Sequence, residues 1–140
     1  MHLVQLEVNG SGLLIREATA VAPEALITLG CLGLYSDDNE AALSRVVSFC
    51  KQHSPIALGV QLSHSGRKGS TYLPSTGRNA PLTAEDGAWE TLSSTGIPRA
   101  EGWPEPRVAT EADITQIISD HAAAATRADR AGFDLIELTA

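Results

Sequence analysis

The sequence predicts an α/β protein, in which strands alternate with helices and pair in parallel. Three apolar runs with strand character, GLLIREATAV, IALGVQLSH and FDLIEL, are separated by two segments with helical spacing. The second run ends in polar residues, as strands do at the ligand-binding edge of parallel sheets. Order and alternation together imply right-handed parallel crossovers.

The first strand is expected at about 13–18, where a β-branched and leucine-rich run follows Gly12, as in a parallel strand buried on both faces. Asp37 and Asp38 then precede Glu40 to Lys51, in which Leu43, Val46, Val47 and Cys50 recur at three- and four-residue spacing. That pattern predicts an amphipathic helix over 39–52 with an acidic start. Pro55 introduces the second strand, expected over 56–62. From Ser63 to about Ala109 no periodicity persists, and proline, glycine and serine abound. A stretch longer than the roughly 12–15 residues of ordinary loops reads as a lid or binding loop. Thr110 and Asp113 have capping-box spacing, and Ile114, Ile117, Ile118, His121, Ala122 and Ala125 keep helical spacing until Gly132, so a helix is predicted over 111–131. FDLIEL supplies a third strand over 133–138.

A length of 140 residues fits one domain or part of one and falls short of the roughly 250 residues of an eight-unit α/β barrel. Hydrophobic residues at 43% and charged residues at 19% predict a packed core. The net charge of −7 argues against general affinity for nucleic acid or anionic membranes and favours small-molecule chemistry. Cys31 and Cys50 lack both zinc-site spacing and the density of a disulfide scaffold, so reduced thiols are expected. The start, MHLVQLEVNG, lacks a signal-peptide pattern, and no segment reaches about 18 uninterrupted apolar residues. A cytoplasmic protein without membrane contact is the expectation.

Gln61 lies near the carboxyl end of the second strand, and its amide can donate and accept at once. It could bind a ligand or serve as a structural strand-end residue. Ser63 to Gly69, SHSGRKG, joins a histidine to two cations and could hold an anionic or carbonyl group, or form a solvated basic turn. It lacks the phosphate-loop pattern. His2, His53, His64 and His121 show no metal-ligand spacing, so no metal is expected. Glu17 and Glu137 sit near strand ends and could act as bases, although ion pairing is the commoner fate of such groups. Cys31, Tyr35 and Tyr72 have no activating neighbours in sequence.

EATAV at 17–21, Pro23-Glu24, LGLYSD at 32–37, GVQLSHSGRK at 59–68, the PR…TEADI run at 106–114 and AGFDLIEL at 131–138 together resemble the bacterial NADPH dehydrogenase and xenobiotic-reductase branch of the Old Yellow Enzyme family. The ordered set is specific, and it covers nearly the whole chain. The resemblance implies a partial TIM (β/α)8 barrel comprising approximately strands two to four. It also implies FMN at the carboxyl-end face, NADH or NADPH as reductant, and an activated alkene or similar acceptor as substrate. By matching motifs, Ala18 is expected to approach the flavin through its backbone, Gln61 to hydrogen-bond the pyrimidine ring, and Lys68 to lie on the substrate side.

Some family features have no counterpart. The first-strand flavin motif with its proton-donor tyrosine would precede Met1, and the family's histidine pair would begin at Thr139. PEALI at 23–27 replaces the more usual PEGRI, and the region between His2 and Gly12 is short for the first barrel helix. Residues 1–140 are therefore expected to form a barrel domain truncated at both ends that carries no catalytic residue of its own. The alternative is a catalytically inert barrel fragment, a structural or association module whose open sheet edges pair with a second copy in a homo-oligomer or with another chain. Nucleic-acid binding through Arg67 and Lys68 conflicts with the acidity and lacks interleaved aromatics.

Overall fold

The structure, a computed structural model, describes residues 11–139. His2, the short stretch before Gly12 and Ala140 lie outside them. Strands β1 (Leu13–Ala20), β2 (Ala57–Ser63) and β5 (Leu135–Thr139) form one parallel sheet in the order β1-β2-β5. Helices α1 (Asp37–His53) and α2 (Glu111–Ala131) are the crossovers. The predicted elements are present with ends moved by two residues or fewer. β5 begins at Leu135, after the turn at Gly132, and β1 runs on to Ala20.

The alternation of β2 organises the layers. Leu58, Val60 and Leu62 are buried on one face, where Val60 and Leu62 join Leu43 of α1 and Ala124 and Ala128 of α2 in the main core. Gly59, Gln61 and Ser63 occupy the opposite face, which no helix covers among the described residues. The isoleucine-rich repeat of α2 does not form its packed face: Ala124, Ala128 and Ala131 are buried, whereas Ile118 is 65% exposed. The small alanines allow the helix axis to approach the sheet, which leaves the isoleucines at the flank of the contact.

Both helices begin at well-defined caps. The N-cap of α1 is Ser36, whose Oγ accepts from the Asn39 amide at 3.2 Å, so the helix starts before the acidic pair had suggested. Asp37, Asp38 and Glu40 fill its first turn and complement the positive end of the helix dipole. In α2, the Asp113 amide donates to Thr110 Oγ1 at 3.3 Å and Asp113 Oδ2 accepts from the Thr110 amide at 2.8 Å, completing the predicted capping box. Gly132 ends this helix at φ 91°, in the left-handed region that favours glycine.

Two polar clamps hold the layers in register. Glu40 accepts from Arg130 Nε and Nη2 at 2.8 and 2.6 Å, linking α1 to α2, and these bonds hold its carboxyl below the usual carboxylate range. At the other end, Asp134 Oδ2 accepts from the Leu58 amide at 2.9 Å while Oδ1 accepts from Lys51 Nζ at 2.7 Å. One carboxylate thus joins the end of α1, the start of β2 and the turn into β5.

The long segment after β2 is ordered without long-range periodicity. It is built from one-turn 3-10 helices at Gly66–Lys68, Pro74–Thr76 and Ala84–Asp86 and a two-residue parallel pair, β3 (Leu92–Ser93) with β4 (Arg107–Val108). Its backbone folds onto the segment following β1 through Thr71 N to Ile27 O at 3.1 Å, and Trp89 Nε1 donates to Glu24 O at 3.1 Å. These are specific side-chain and backbone bonds between distant residues, which a periodicity search does not register.

Replacing Leu62, which is 0% exposed, with alanine should destabilise the fold by about 2–5 kcal/mol through lost burial and a residual cavity. Leu138→Ala, at a site 66% exposed, should change stability by no more than about 0.5 kcal/mol. Urea unfolding of the two variants followed by circular dichroism measures both, and equal losses would contradict the assignment of the packed face.

Candidate functional site

The site starts from an irregularity in β1. Arg16 pairs with Val60 but Thr19 with Leu62, so three residues of β1 advance against two of β2. Glu17 and Ala18 together stand opposite Gln61 in a β-bulge, where one residue loses its place in the ladder. Thr19 Oγ1 donates to Glu17 O at 3.1 Å and steadies the bulge from the buried face. The bulge brings the backbone of Ala18 beside the strand position occupied by Gln61.

On the open face the side chains form two rows. Ile15, Gly59 and Leu135 make an apolar row, in which Ile15 and Leu135 lean so close over Gly59 that an added Cβ would meet each at 3.1 Å. One step toward the carboxyl end, Glu17, Gln61 and Glu137 make a polar row. Gln61 Nε2 donates to Glu137 Oε2 at 3.2 Å, and Arg16 Nη1 donates to Glu17 Oε1 at 2.8 Å. The hydrogen bond from Gln61 fixes the amide so that its carbonyl oxygen and its second N–H are available for a ligand edge that alternates donor and acceptor. Glu137 is therefore an orienting partner of Gln61. Its spacing near a strand end had marked it as polar, but only the sheet register pairs it with residue 61.

Lys68 is an exposed side chain at the end of the one-turn helix Gly66–Lys68, just beyond the carboxyl end of β2. Its two neighbours in the basic turn have different fates. Arg67 Nη1 donates to Ile97 O at 3.2 Å and braces the long segment. Ser65 docks the turn onto the segment that follows β1 through its amide to Ala25 O at 3.1 Å and its hydroxyl to Leu26 O at 2.9 Å. Ala18 and Gln61 are thus neighbours across two strands, and Lys68 follows at the same sheet end. Cys31 and Cys50 form no disulfide, and no group of three metal-ligating side chains exists among the described residues.

His64 is the histidine of the SHSGRKG stretch, and the fold gives it a partly closed environment. It directly follows β2, and its Nδ1 accepts from the Gly66 amide at 3.0 Å, which leaves Nε2 as the protonated nitrogen. That nitrogen is buried and has no hydrogen-bond partner among the described residues. Burial lowers the imidazole pKa below its ordinary value; Glu24 and Asp120 oppose the shift, and His121 adds to it. Because the folded pKa lies below the unfolded one, the stability from His64 is fully present above about pH 6.5 and is lost as pH falls through the folded value. The melting temperature should therefore fall between pH 7.5 and pH 5.5, and His64→Asn, which keeps an acceptor near Nδ1, should reduce that fall. An identical pH profile for the variant would show that His64 does not control it.

The family model for the NADH:flavin oxidoreductase / NADH oxidase family matches residues 4–140. An NADH:flavin oxidoreductase of Gibberella zeae is 39% identical over 142 residues, a match that covers 99% of this chain and 34% of that protein. An NADPH dehydrogenase of Geobacillus thermodenitrificans is 34% identical, over 100% of this chain and 36% of its own length. The solved structure of morphinone reductase superimposes with a TM-score of 0.77 at 25% identity, covering 98% of this chain and 38% of that one. Morphinone reductase in complex with tetrahydroNAD gives a TM-score of 0.73 at 26% identity over 91% of this chain and 36% of that one. The chain spans about a third of the length of the relatives it matches, and the parallel sheet with its two outer helices is a partial barrel of their kind. By a family match that takes in β1, the bulge, β2 and the polar row, the chain belongs to the NADH:flavin oxidoreductase / NADH oxidase family, as the Old Yellow Enzyme motifs led one to expect.

Proposed function

We propose that these residues are the strand-two-to-four sector of an FMN-dependent NAD(P)H oxidoreductase of the ene-reductase type, acting in the cytoplasm on an activated alkene or related small acceptor. The observation that carries the reading is the bulge, which takes Ala18 out of the regular β1–β2 register beside the oriented amide of Gln61. A flavin pyrimidine edge, with an N–H between carbonyl oxygens, is complementary to a glutamine amide whose other donor is already taken up by Glu137. Bound FMN would accept hydride from the nicotinamide and pass it to the acceptor. In this assignment Ala18 offers backbone polar groups to the flavin, Gln61 bonds the pyrimidine, and exposed Lys68 reaches toward the substrate.

Residues 1–140 by themselves act in this reading as an incomplete domain without a catalytic group of their own. Hydride transfer requires the acceptor to be held over the flavin, and displacements of about 1 Å cost roughly 100-fold in rate. A second reading, an inert module that associates through its edges, is favoured by the all-exposed strand β5 and by Leu13 and Ile15 on the open face. Self-pairing to a homo-oligomer would cover those surfaces.

Titration of the purified chain into FMN, followed by quenching of flavin fluorescence, separates the two. The flavin reading predicts weak, saturable quenching that Gln61→Leu reduces by about three- to tenfold, the value of one or two hydrogen bonds. With NADPH and cyclohexenone under anaerobic conditions, turnover should not exceed that of free FMN. Quenching indifferent to Gln61 would remove the assignment of the pyrimidine site, and multiple turnovers above the free-flavin rate would show that these residues supply more of the catalytic machinery than assigned.

A further inference from the structure

A second site stands on charge and geometry away from the polar row. A cleft of about 360 Å³ opens between the segment that follows β1, at Ile27 and Thr28, and the segment that follows β2, from Thr71 to Ala80. Its charged lining residues are both cationic, Arg78 and Arg99, although the whole chain carries a net charge of −7. Asn79 adds a neutral amide to the same wall.

Each guanidinium is held against an aromatic face: Arg78 lies 5.0 Å from the centroid of Tyr72, and Arg99 lies 4.6 Å from that of Trp103. Stacking restrains the guanidinium plane and leaves its N–H edge available for an acceptor. Arg16, Arg107, Arg127 and Arg130 are ion-paired, whereas neither Arg78 nor Arg99 has a carboxylate within 4.0 Å among the described residues. Asp86, which feels the charge of Arg78, is itself taken up by the hydroxyls of Tyr72 and Thr83. Two pre-oriented cations with no carboxylate in ion-pair contact, in a concavity of small-ligand size, form a receptor for phosphate oxygens.

We propose that this cleft binds the phosphate groups of a nicotinamide dinucleotide, with Arg78 and Arg99 as the donors. The cleft lies beyond the carboxyl ends of β1 and β2, the sheet end that carries Gln61 and Lys68, so a dinucleotide anchored there keeps its reactive ring on the side of the proposed flavin site. The choice of dinucleotide rests on the oxidoreductase reading, whereas the anion site itself rests only on the cleft. A phosphate ester of flavin would satisfy the same donors, and the experiment separates the two sources.

The chain is titrated with 2′,5′-ADP, ADP and FMN in separate arms, without any reductant or acceptor. Binding is followed by calorimetry and by tryptophan fluorescence, since Trp103 lies under Arg99. The proposal predicts saturable binding of 2′,5′-ADP and ADP and a change in tryptophan emission. Arg78→Gln and Arg99→Gln should each weaken binding about tenfold, as loss of a charge-assisted hydrogen bond does. Arg45→Gln, an exposed cation on α1, should leave it unchanged, and circular dichroism verifies that all three variants fold. Absence of adenosine phosphate binding, or equal weakening by Arg45→Gln, would overturn the site. Displacement of 2′,5′-ADP by FMN in a manner sensitive to Arg78 and Arg99 would overturn the dinucleotide assignment in favour of the flavin phosphate. Failure of FMN to respond to Gln61→Leu, with 2′,5′-ADP still bound at the arginines, would count against the flavin site alone.

Discussion

A parallel strand gains no stability from a local hairpin, so a sheet of this kind holds only where a central strand is paired along both edges and packed under its crossovers. Here β2 is that strand. It bonds to β1 and β5, buries Leu58, Val60 and Leu62 beneath the helices, and donates its Leu58 amide to the Asp134 carboxylate. The register of β1 and β5, the crossing of α1 with α2 and the position of every candidate ligand residue follow from how β2 is held.

The division between structure and chemistry runs along the same strand. Its helix-facing residues are apolar and closed to water. Its other face rises from an apolar row at Gly59 to a polar row at Gln61, and the bulge in β1 opens the backbone just where that polar row begins. Placing polar side chains and a break in the strand register there costs stability that the packed face offsets. The same logic accounts for the long segment beyond β2. It is secured to the segment following β1 by Thr71 and Trp89, and so can present exposed cations from an ordered backbone.

Most of the fold was legible because it rests on local signals. The capping box at Thr110 and Asp113, the glycine stop at 132 and the apolar runs act within a few residues, and each appears where spacing predicted it. Which face of α2 packs was not legible, because apolarity pointed to Ile114 and Ile118 whereas close approach to the sheet selected Ala124 and Ala128. At the candidate site, Gln61 could be picked out from its place at a strand end. Its pairing with Glu137 could not, since 76 residues separate them and only the sheet register brings them together. The cleft between Arg78 and Arg99 was hidden for the same reason: its walls come from segments after two different strands.

Leu13 and Ile15 on β1 and Leu135, Ile136 and Leu138 on β5 are exposed, as are Val46 and Phe49 of α1, Ile114 and Ile118 of α2 and Leu73, Ile97 and Val108 of the long segment. The two outer strands are thus open to solvent, while Leu58, Val60 and Leu62 of β2 are not. Such a surface loosens β1 and β5 relative to β2, since edge amides open by local fluctuation while central ones require global unfolding. Amide hydrogen exchange resolved along the chain tests that hierarchy most directly. Amides of Ala57–Ser63 should exchange slowest, at the rate set by global unfolding, with the outer amides of β1 and β5 exchanging faster. Exchange of β2 as fast as that of β1 and β5 would contradict the claim that this strand holds the structure and its site together.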